Sequence, residues 1–222
     1  MIAFTDVSVE KNGVAILGGI TLHLRERRVG IIGRNGSGKS TFARLFNGIE
    51  KPTSGRVALD APHEREALRR HVGFVFQNPD NQIVYPIVSE DLAFGLKNLK
   101  LSARETQARI EAVLERFGLT HLRDRFTHQL SGGEKQMIAL AGVLVMRPRM
   151  IVMDEPTTLL DLWNKRKFMA AIDALDEHVV LVSHDLDLLA DFDRVLHIED
   201  GTIVADGDPA TVVAGYVAST RC

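Results

Sequence analysis

The sequence predicts an α/β fold with a parallel core sheet, an antiparallel β subdomain and an inserted α-helical subdomain. Three observations predict it. Val29-Gly30-Ile31-Ile32, Met150-Ile151-Val152-Met153 and Val179-Val180-Leu181-Val182 are apolar on both faces, the pattern of central parallel strands covered from both sides. Ile2 to Val9, Ala15 to Leu24 and Gly55 to Leu59 read as short β-rich segments, the first alternating as a half-buried strand does. Between Glu90 and about Met146 the periodicity turns helical.

Each element follows from its residues. After the strand at 29–32 a glycine-rich run leads into a helix expected near 39–47. Ser102 and Glu105 form an S-x-x-E capping box, Ile110, Val113, Leu114 and Phe117 recur at helical spacing, and Gly118 stands where a C-terminal cap belongs. Further helices are expected near 132–145 and 163–175. Glu199-Asp200-Gly201-Thr202, between Val195-Leu196-His197-Ile198 and Ile203-Val204-Ala205, reads as a tight hairpin. No internal repeat, low-complexity tract or linker is evident, so residues 1–222 are expected to form one domain, its core at about 1–85 and 147–222 and its helical subdomain at about 86–146.

Composition narrows the class. Among 222 residues, 45% are hydrophobic and 25% charged, average values for a globular protein. The net charge of −2 offers no general attraction to nucleic acid, which is not expected as a partner. The single cysteine, Cys222, rules out an internal disulfide and reads as an inert tail thiol in a reducing cytosol. The N-terminus shows no basic leader followed by an apolar stretch, and no apolar run approaches the ~18 residues of a membrane span. Work at a membrane is expected to go through a partner.

Two motifs carry the chemistry. Gly33-Arg34-Asn35-Gly36-Ser37-Gly38-Lys39-Ser40, followed by Thr41, fits G-x-x-x-x-G-K-[ST] between a buried strand and a helix, the context a phosphate loop requires. Its glycines let backbone N–H groups converge on a phosphate, Lys39 brings a positive charge toward the β- and γ-phosphates, and Ser40 offers a hydroxyl to Mg²⁺. Met150 to Met153 ends in Asp154 and Glu155, which puts Asp154 near the Mg²⁺ shell and Glu155 near an attacking water. An acidic pair after a strand also starts many solvated loops; beside a phosphate loop the chemical reading wins.

Leu130-Ser131-Gly132-Gly133-Glu134, followed by Lys135-Gln136, resembles the signature of ATP-binding cassette (ABC) ATPases. The order phosphate loop, glutamine, signature, carboxylates, histidine matches that family over nearly the whole chain. The resemblance implies a P-loop NTPase (RecA-like) core and ATP with Mg²⁺ as ligands. It also implies that Ser131, Gly132 and Gly133 hold the γ-phosphate of a nucleotide bound by the opposite subunit. By the same resemblance Gln77 corresponds to the glutamine that senses Mg²⁺ and the attacking water, Thr158-Leu159-Leu160-Asp161 to the loop across the dimer, and His184 to the histidine that contacts γ-phosphate. The other seven histidines read as ordinary ones. Glu155, His184 and Gln77 are the expected catalytic residues, and Ser40, Gln77 and Asp154 the expected metal contacts.

Two departures stand out. The family's aromatic residue that stacks on adenine has no counterpart around Val9 to Lys11, leaving Lys11 or apolar side chains for the base and GTP acceptance open. Arg25-Glu26-Arg27-Arg28 replaces the glycine turn before the phosphate-loop strand and reads as a solvated turn.

Phe76-Gln77-Asn78-Pro79-Asp80-Asn81-Gln82 and Ser89-Glu90-Asp91-Leu92-Ala93-Phe94-Gly95 resemble the energy-coupling factor (ECF) ATPases, motors of vitamin, cobalt and nickel importers. Asn78 to Asn81 is also a composition that favours turns. The resemblance implies an ATP-hydrolysing subunit of a biotin, cobalt or nickel importer. Its implied partners are a second ATPase subunit, either a second copy of itself or a different subunit in a paired heterodimer, an integral membrane coupling subunit and a substrate-binding membrane subunit. Its implied place is the cytoplasmic face of the bacterial inner membrane, as a peripheral protein. The additional C-terminal dimerisation domain of many ECF ATPases is read as absent. Asp80, Glu90 or Asp91 is expected to be available to meet basic residues of the coupling subunit. Alternatives are the ATPase of another ABC transporter class, a soluble cassette ATPase or a nucleotide-gated regulatory subunit. Against the soluble class, only about 90 residues separate phosphate loop and signature, with no sustained heptads.

Overall fold

The computed structural model describes residues 2–59 and 65–220, so Cys222 lies outside the described residues. The chain forms two compact units, one of residues 1–74, 149–155 and 177–222, the other of residues 75–148 and 156–176.

The first unit opens with β1 (Ile2–Lys11) and β2 (Val14–Leu24), paired antiparallel and joined by a two-residue turn. Asn12 and Gly13 take φ of 51° and 77°, the left-handed pair that a hairpin turn of matching twist demands and Asn-Gly supplies. With β4 (Ser54–Leu59) on the other side of β1, they make a three-stranded sheet of order β2-β1-β4. Phe4 on β1 packs against Phe42 and Phe46, with all three ring centroids within 5.2 Å of one another. This fully buried cluster anchors the short helix α1 (Lys39–Leu45), each ring contributing about 2–3 kcal/mol of burial.

The second sheet has six strands in the order β5-β6-β7-β3-β8-β9. β3 (Arg28–Ile32) lies parallel to both β7 (His178–Val182) and β8 (Arg194–Glu199), and β6 (Met150–Asp154) parallel to β7. β5 (Val72–Val75), preceded by helix α2 (Arg65–His71), forms one edge. β9 (Thr202–Gly207) closes the other edge as an antiparallel hairpin with β8 around Asp200-Gly201. The three two-face apolar segments are thus three of the four interior strands, as expected. The α/β class with both a parallel and an antiparallel sheet is borne out.

The second unit is helical, with α3 (Val88–Leu96), α4 (Ala103–Arg116), α5 (Gly132–Leu144) and α6 (Leu162–Asp173). α4 starts in the expected capping box and stops in the expected glycine: Gly118, at φ 66°, donates to Glu115 O (3.0 Å) and Leu119 to Leu114 O (2.8 Å). That pair of bonds satisfies two terminal carbonyls. Nine of the thirteen residues of α5 are buried, Ile138 and Leu140 completely, so α5 is the hub of this unit. The chain ends in α7 (Pro209–Ser219), which belongs to the first unit. Among the described residues no helix is long and apolar enough to cross a membrane.

Candidate nucleotide site

β3 delivers the phosphate loop. Gly33, directly after it, has φ 147°, and a Cβ there would stand 2.1 Å from Ile198 O, so β8 admits only glycine. The far end of the β8–β9 hairpin braces the loop: Gly201 N–H donates to Ser37 O (3.1 Å), and Gly18 N–H on β2 donates to Gly201 O (3.0 Å). Lys39, 5% exposed, folds back over the loop and donates to Gly33 O and Arg34 O, both at 2.8 Å. Burial pushes the Lys39 ammonium down, and the nearby Glu155 and Asp154 carboxylates push it up less. Ser37 Oγ is buried without a hydrogen-bond partner among the described residues. An anion in the loop would satisfy both groups, since buried polar atoms rarely stay unpaired. The Arg34 guanidinium reaches Ser219 O (3.4 Å) at the end of α7. Asn35, Gly36 and Gly38 complete the loop, and Thr41 lies within α1.

Opposite the loop, β6 ends at Asp154, whose Oδ1 accepts from Ser40 Oγ at 3.0 Å. Arg44, one helical turn past Ser40, places Nη2 3.8 Å from Asp154 Oδ2. Burial raises the Asp154 pKa above the ordinary carboxylate value; the Ser40 bond and then Arg44 work against it. Glu155 follows with φ 50°, a left-handed conformation that costs a non-glycine residue about 1–3 kcal/mol and is concentrated at functional sites. Its N–H is held by Val182 O (3.0 Å), and its Oε1 lies 2.7 Å from His184 Nε2. Ser183 fixes the loop behind His184, accepting from the Asp185 N–H at 3.0 Å.

The oxygen pair of Ser40 and Asp154 fits Mg²⁺, a hard cation that prefers one or two carboxylates and takes its remaining ligands from water and phosphate. Among the described residues there is no cluster of three or more His, Cys, Asp and Glu that would make an all-protein cage.

The second unit holds the remaining expected residues. Ser131 N-caps α5 in a capping box, accepting from the Glu134 N–H (3.3 Å) while the Glu134 carboxylate accepts from the Ser131 N–H (2.8 Å). A Cβ on Gly133 would meet Asn164 Oδ1 at 2.2 Å, so the signature helix admits α6 only because that residue is glycine. Asn164 in turn donates through its backbone and side chain to the Asp161 carboxylate, at 2.8 and 3.0 Å. Asp161, the N-cap of α6, is thereby joined to the start of α5 through one asparagine. Gln77 follows β5 by two residues.

The segment after Gln77 is tied to α5. Gln82 accepts from the Phe76 N–H (3.1 Å) and donates to Ala139 O (2.7 Å), while Lys135 pairs with Asp80 at 2.7 Å. Asp91 Oδ1 accepts from the N–H groups of Val84 and Tyr85 (2.8 and 2.9 Å). Two of the three acidic groups offered as alternatives for a partner contact therefore have partners within the chain. Glu90 instead lines an open groove of about 460 Å³ with Tyr85, Phe94, Lys97, Leu101 and Thr106.

Two further expectations are corrected. Arg25 to Arg28 is not simply a solvated turn. Glu26 accepts from Arg194 (3.0 Å), Arg194 also grips Asp206 with two bonds of 2.6 Å, and Arg28 donates to Glu177 O (2.8 Å). Partners 149 or more residues away in sequence turn a charge run into a knot. Lys11, considered for the base, is ion-paired with Glu50. Sequence reasoning also missed Asn164, whose side chain has no motif to announce it.

The comparisons with known proteins agree with this geometry. A family model described as ABC transporter matches residues 17–158. An ABC transporter ATP-binding protein of Deinococcus radiodurans is 53% identical over 219 residues, 97% of each chain. The biotin transport ATP-binding protein BioM of Rhizobium etli is 45% identical over 217 residues, again 97% of each. Among solved structures, CbiO1 of Clostridium perfringens, part of the ABC transporter complex CbiONQ, superimposes with a TM-score of 0.85 at 34% identity, covering 99% of this chain and 93% of that one. The dimeric ATP-binding cassette MJ0796, in a post-hydrolysis state bound to ADP and Pi, gives 0.82 at 28% identity, covering 94% and 99%.

Proposed function

From a chain that belongs to the ABC transporter ATPase family and has ECF-type ATPase subunits among its relatives, we propose the motor of an ECF importer for biotin or a transition-metal ion. It works at the cytoplasmic face of the inner membrane. The observation that carries the reading is the assembly within one unit of a phosphate loop, Asp154 and the Glu155–His184 pair, while the signature caps a helix in the other unit.

Two copies of the chain sandwich two ATP molecules. Each nucleotide touches residues 33–41 of one copy and Ser131, Gly132, Gly133 and Asp161 of the other. Lys39 leaves the carbonyls of Gly33 and Arg34 for the phosphates, which replace its lost solvation. Ser40, Asp154 and Gln77 would hold Mg²⁺, which would neutralise phosphate charge. Glu155, already strained into place, orients water and takes its proton as the water oxygen bonds the γ-phosphorus and the bond to ADP breaks. His184 contacts the γ-phosphate and positions Glu155. The resulting closure and opening move the second unit, and the groove around Tyr85, Glu90 and Phe94 takes a coupling helix of the membrane subunit.

The test is purification from the native membrane in mild detergent. The expected companions are a membrane coupling subunit and a small vitamin- or metal-binding membrane protein. Co-purification with a large exporter subunit would overturn the importer reading.

A further inference from the structure

The hydroxyl that opens α5 is already committed. Ser131 Oγ lies 2.7 Å from Glu134 Oε2 and 3.3 Å from the Glu134 N–H. A hydroxyl has one proton and two lone pairs. The backbone N–H only donates, so it occupies a lone pair; an ionised carboxylate only accepts, so it holds the proton. The same Oε2 accepts from the Ser131 N–H at 2.8 Å. These bonds keep the Glu134 carboxyl below its ordinary range, against the opposing effect of burial, with His121 and Arg125 assisting. Ser131 therefore turns a lone pair, not a donor, toward any anion approaching the helix.

We propose that Glu134 is a positioning residue that holds back the hydroxyl proton of Ser131 until bound nucleotide displaces it. The inference rests on the reading that Ser131 of one copy caps the γ-phosphate held by the other. To donate to that phosphate the hydroxyl must turn away from Glu134, exchanging one O–H···O⁻ bond for another and leaving the carboxylate with the Ser131 N–H alone. Glu134 thus raises the nucleotide concentration at which two copies close. Gln at this position keeps the helix cap, because its amide oxygen accepts the same two bonds, but a neutral acceptor holds the proton about half as strongly.

The experiment uses the full chain with Glu155→Gln to halt hydrolysis, and follows dimer formation by light scattering during titration with Mg-ATP. Thermal unfolding of each variant checks that it is folded. Glu134→Gln should lower the half-maximal ATP concentration about three- to tenfold. Ser131→Ala should raise it, and in the Ser131→Ala background Glu134→Gln should have no effect. An unchanged or higher midpoint for Glu134→Gln overturns the proposal. So does an equal gain with and without the serine, which would make Glu134 only a nearby charge. Failure of the underlying reading looks different: Ser131→Ala alone would then leave the midpoint where it was.

Discussion

Helices α4 and α5 begin with the same local structure, and only one of them carries a nucleotide motif. In α4, Ser102 Oγ donates to Glu105 Oε2 at 2.7 Å, and the two backbone bonds of the box measure 2.9 and 3.2 Å. In α5 the corresponding distances are 2.7, 2.8 and 3.3 Å. The serine and the glutamate therefore do not distinguish the two caps. What differs is the pair between them, Ala103-Arg104 against Gly132-Gly133. First-turn N–H groups have no partner within a helix. The glycines put no side chain beside them, with open space at Gly132 and room for Asn164 at Gly133. The contrast teaches that α5 differs from α4 in its missing side chains and in a neighbour tied to Asp161, not in the geometry of its cap.

That contrast can be broken most severely at Gly133. Gly133→Ala drives a methyl into Asn164 and should cut ATP turnover more than tenfold and cost about 1–3 kcal/mol of stability, the usual penalty of overpacking. Steady-state ATPase and thermal unfolding measure the two effects. Arg104→Gly, its counterpart in α4, should cost about 1 kcal/mol through helix propensity and leave turnover unchanged.

Removing the serines sharpens the comparison. Ser102→Ala and Ser131→Ala should each cost about 1 kcal/mol in chemical denaturation, as lost N-caps do, yet only Ser131→Ala should lower turnover. Equal activity in the two variants would make the caps functionally alike.

The smallest expected effect is in pH dependence. Hydrogen bonds from Ser131 and Ser102 lower the folded pKa values of Glu134 and Glu105 from an ordinary 4.5. Depressed carboxyl groups stabilise the fold above 4.5 and lose that contribution as the pH falls through their folded values. Acid unfolding of Glu105→Gln and Glu134→Gln should each be slightly less steep in that window than that of the parent, and a steeper transition would contradict the assignment.

The legible parts of the molecule were those set by short-range pattern. The interior strands announced themselves by apolar faces, α4 by its capping box and Gly118, and the β8–β9 hairpin by Asp200-Gly201. The Asn12-Gly13 turn had a signal of the same kind that went unused. Illegible were contacts between residues distant in sequence. Lys135 taking Asp80, Gln82 bridging Phe76 to Ala139, and Arg194 knotting Glu26 to Asp206 depend on which surfaces the fold brings together. The left-handed backbone of Glu155 is of that kind too, since it is imposed on a residue with no intrinsic preference for it.

Everything proposed for α5 requires that its glycines act on a nucleotide held by another copy. Two inactive variants can test this together: Lys39→Ala, which disables the phosphate loop, and Ser131→Arg, which blocks the signature. Each alone has two defective sites per dimer. Mixed in equal amounts, half the dimers combine an intact loop with an intact signature once, so up to about a quarter of wild-type ATP turnover should return. A mixture as inactive as its components would show that each chain completes its own site, contrary to the account.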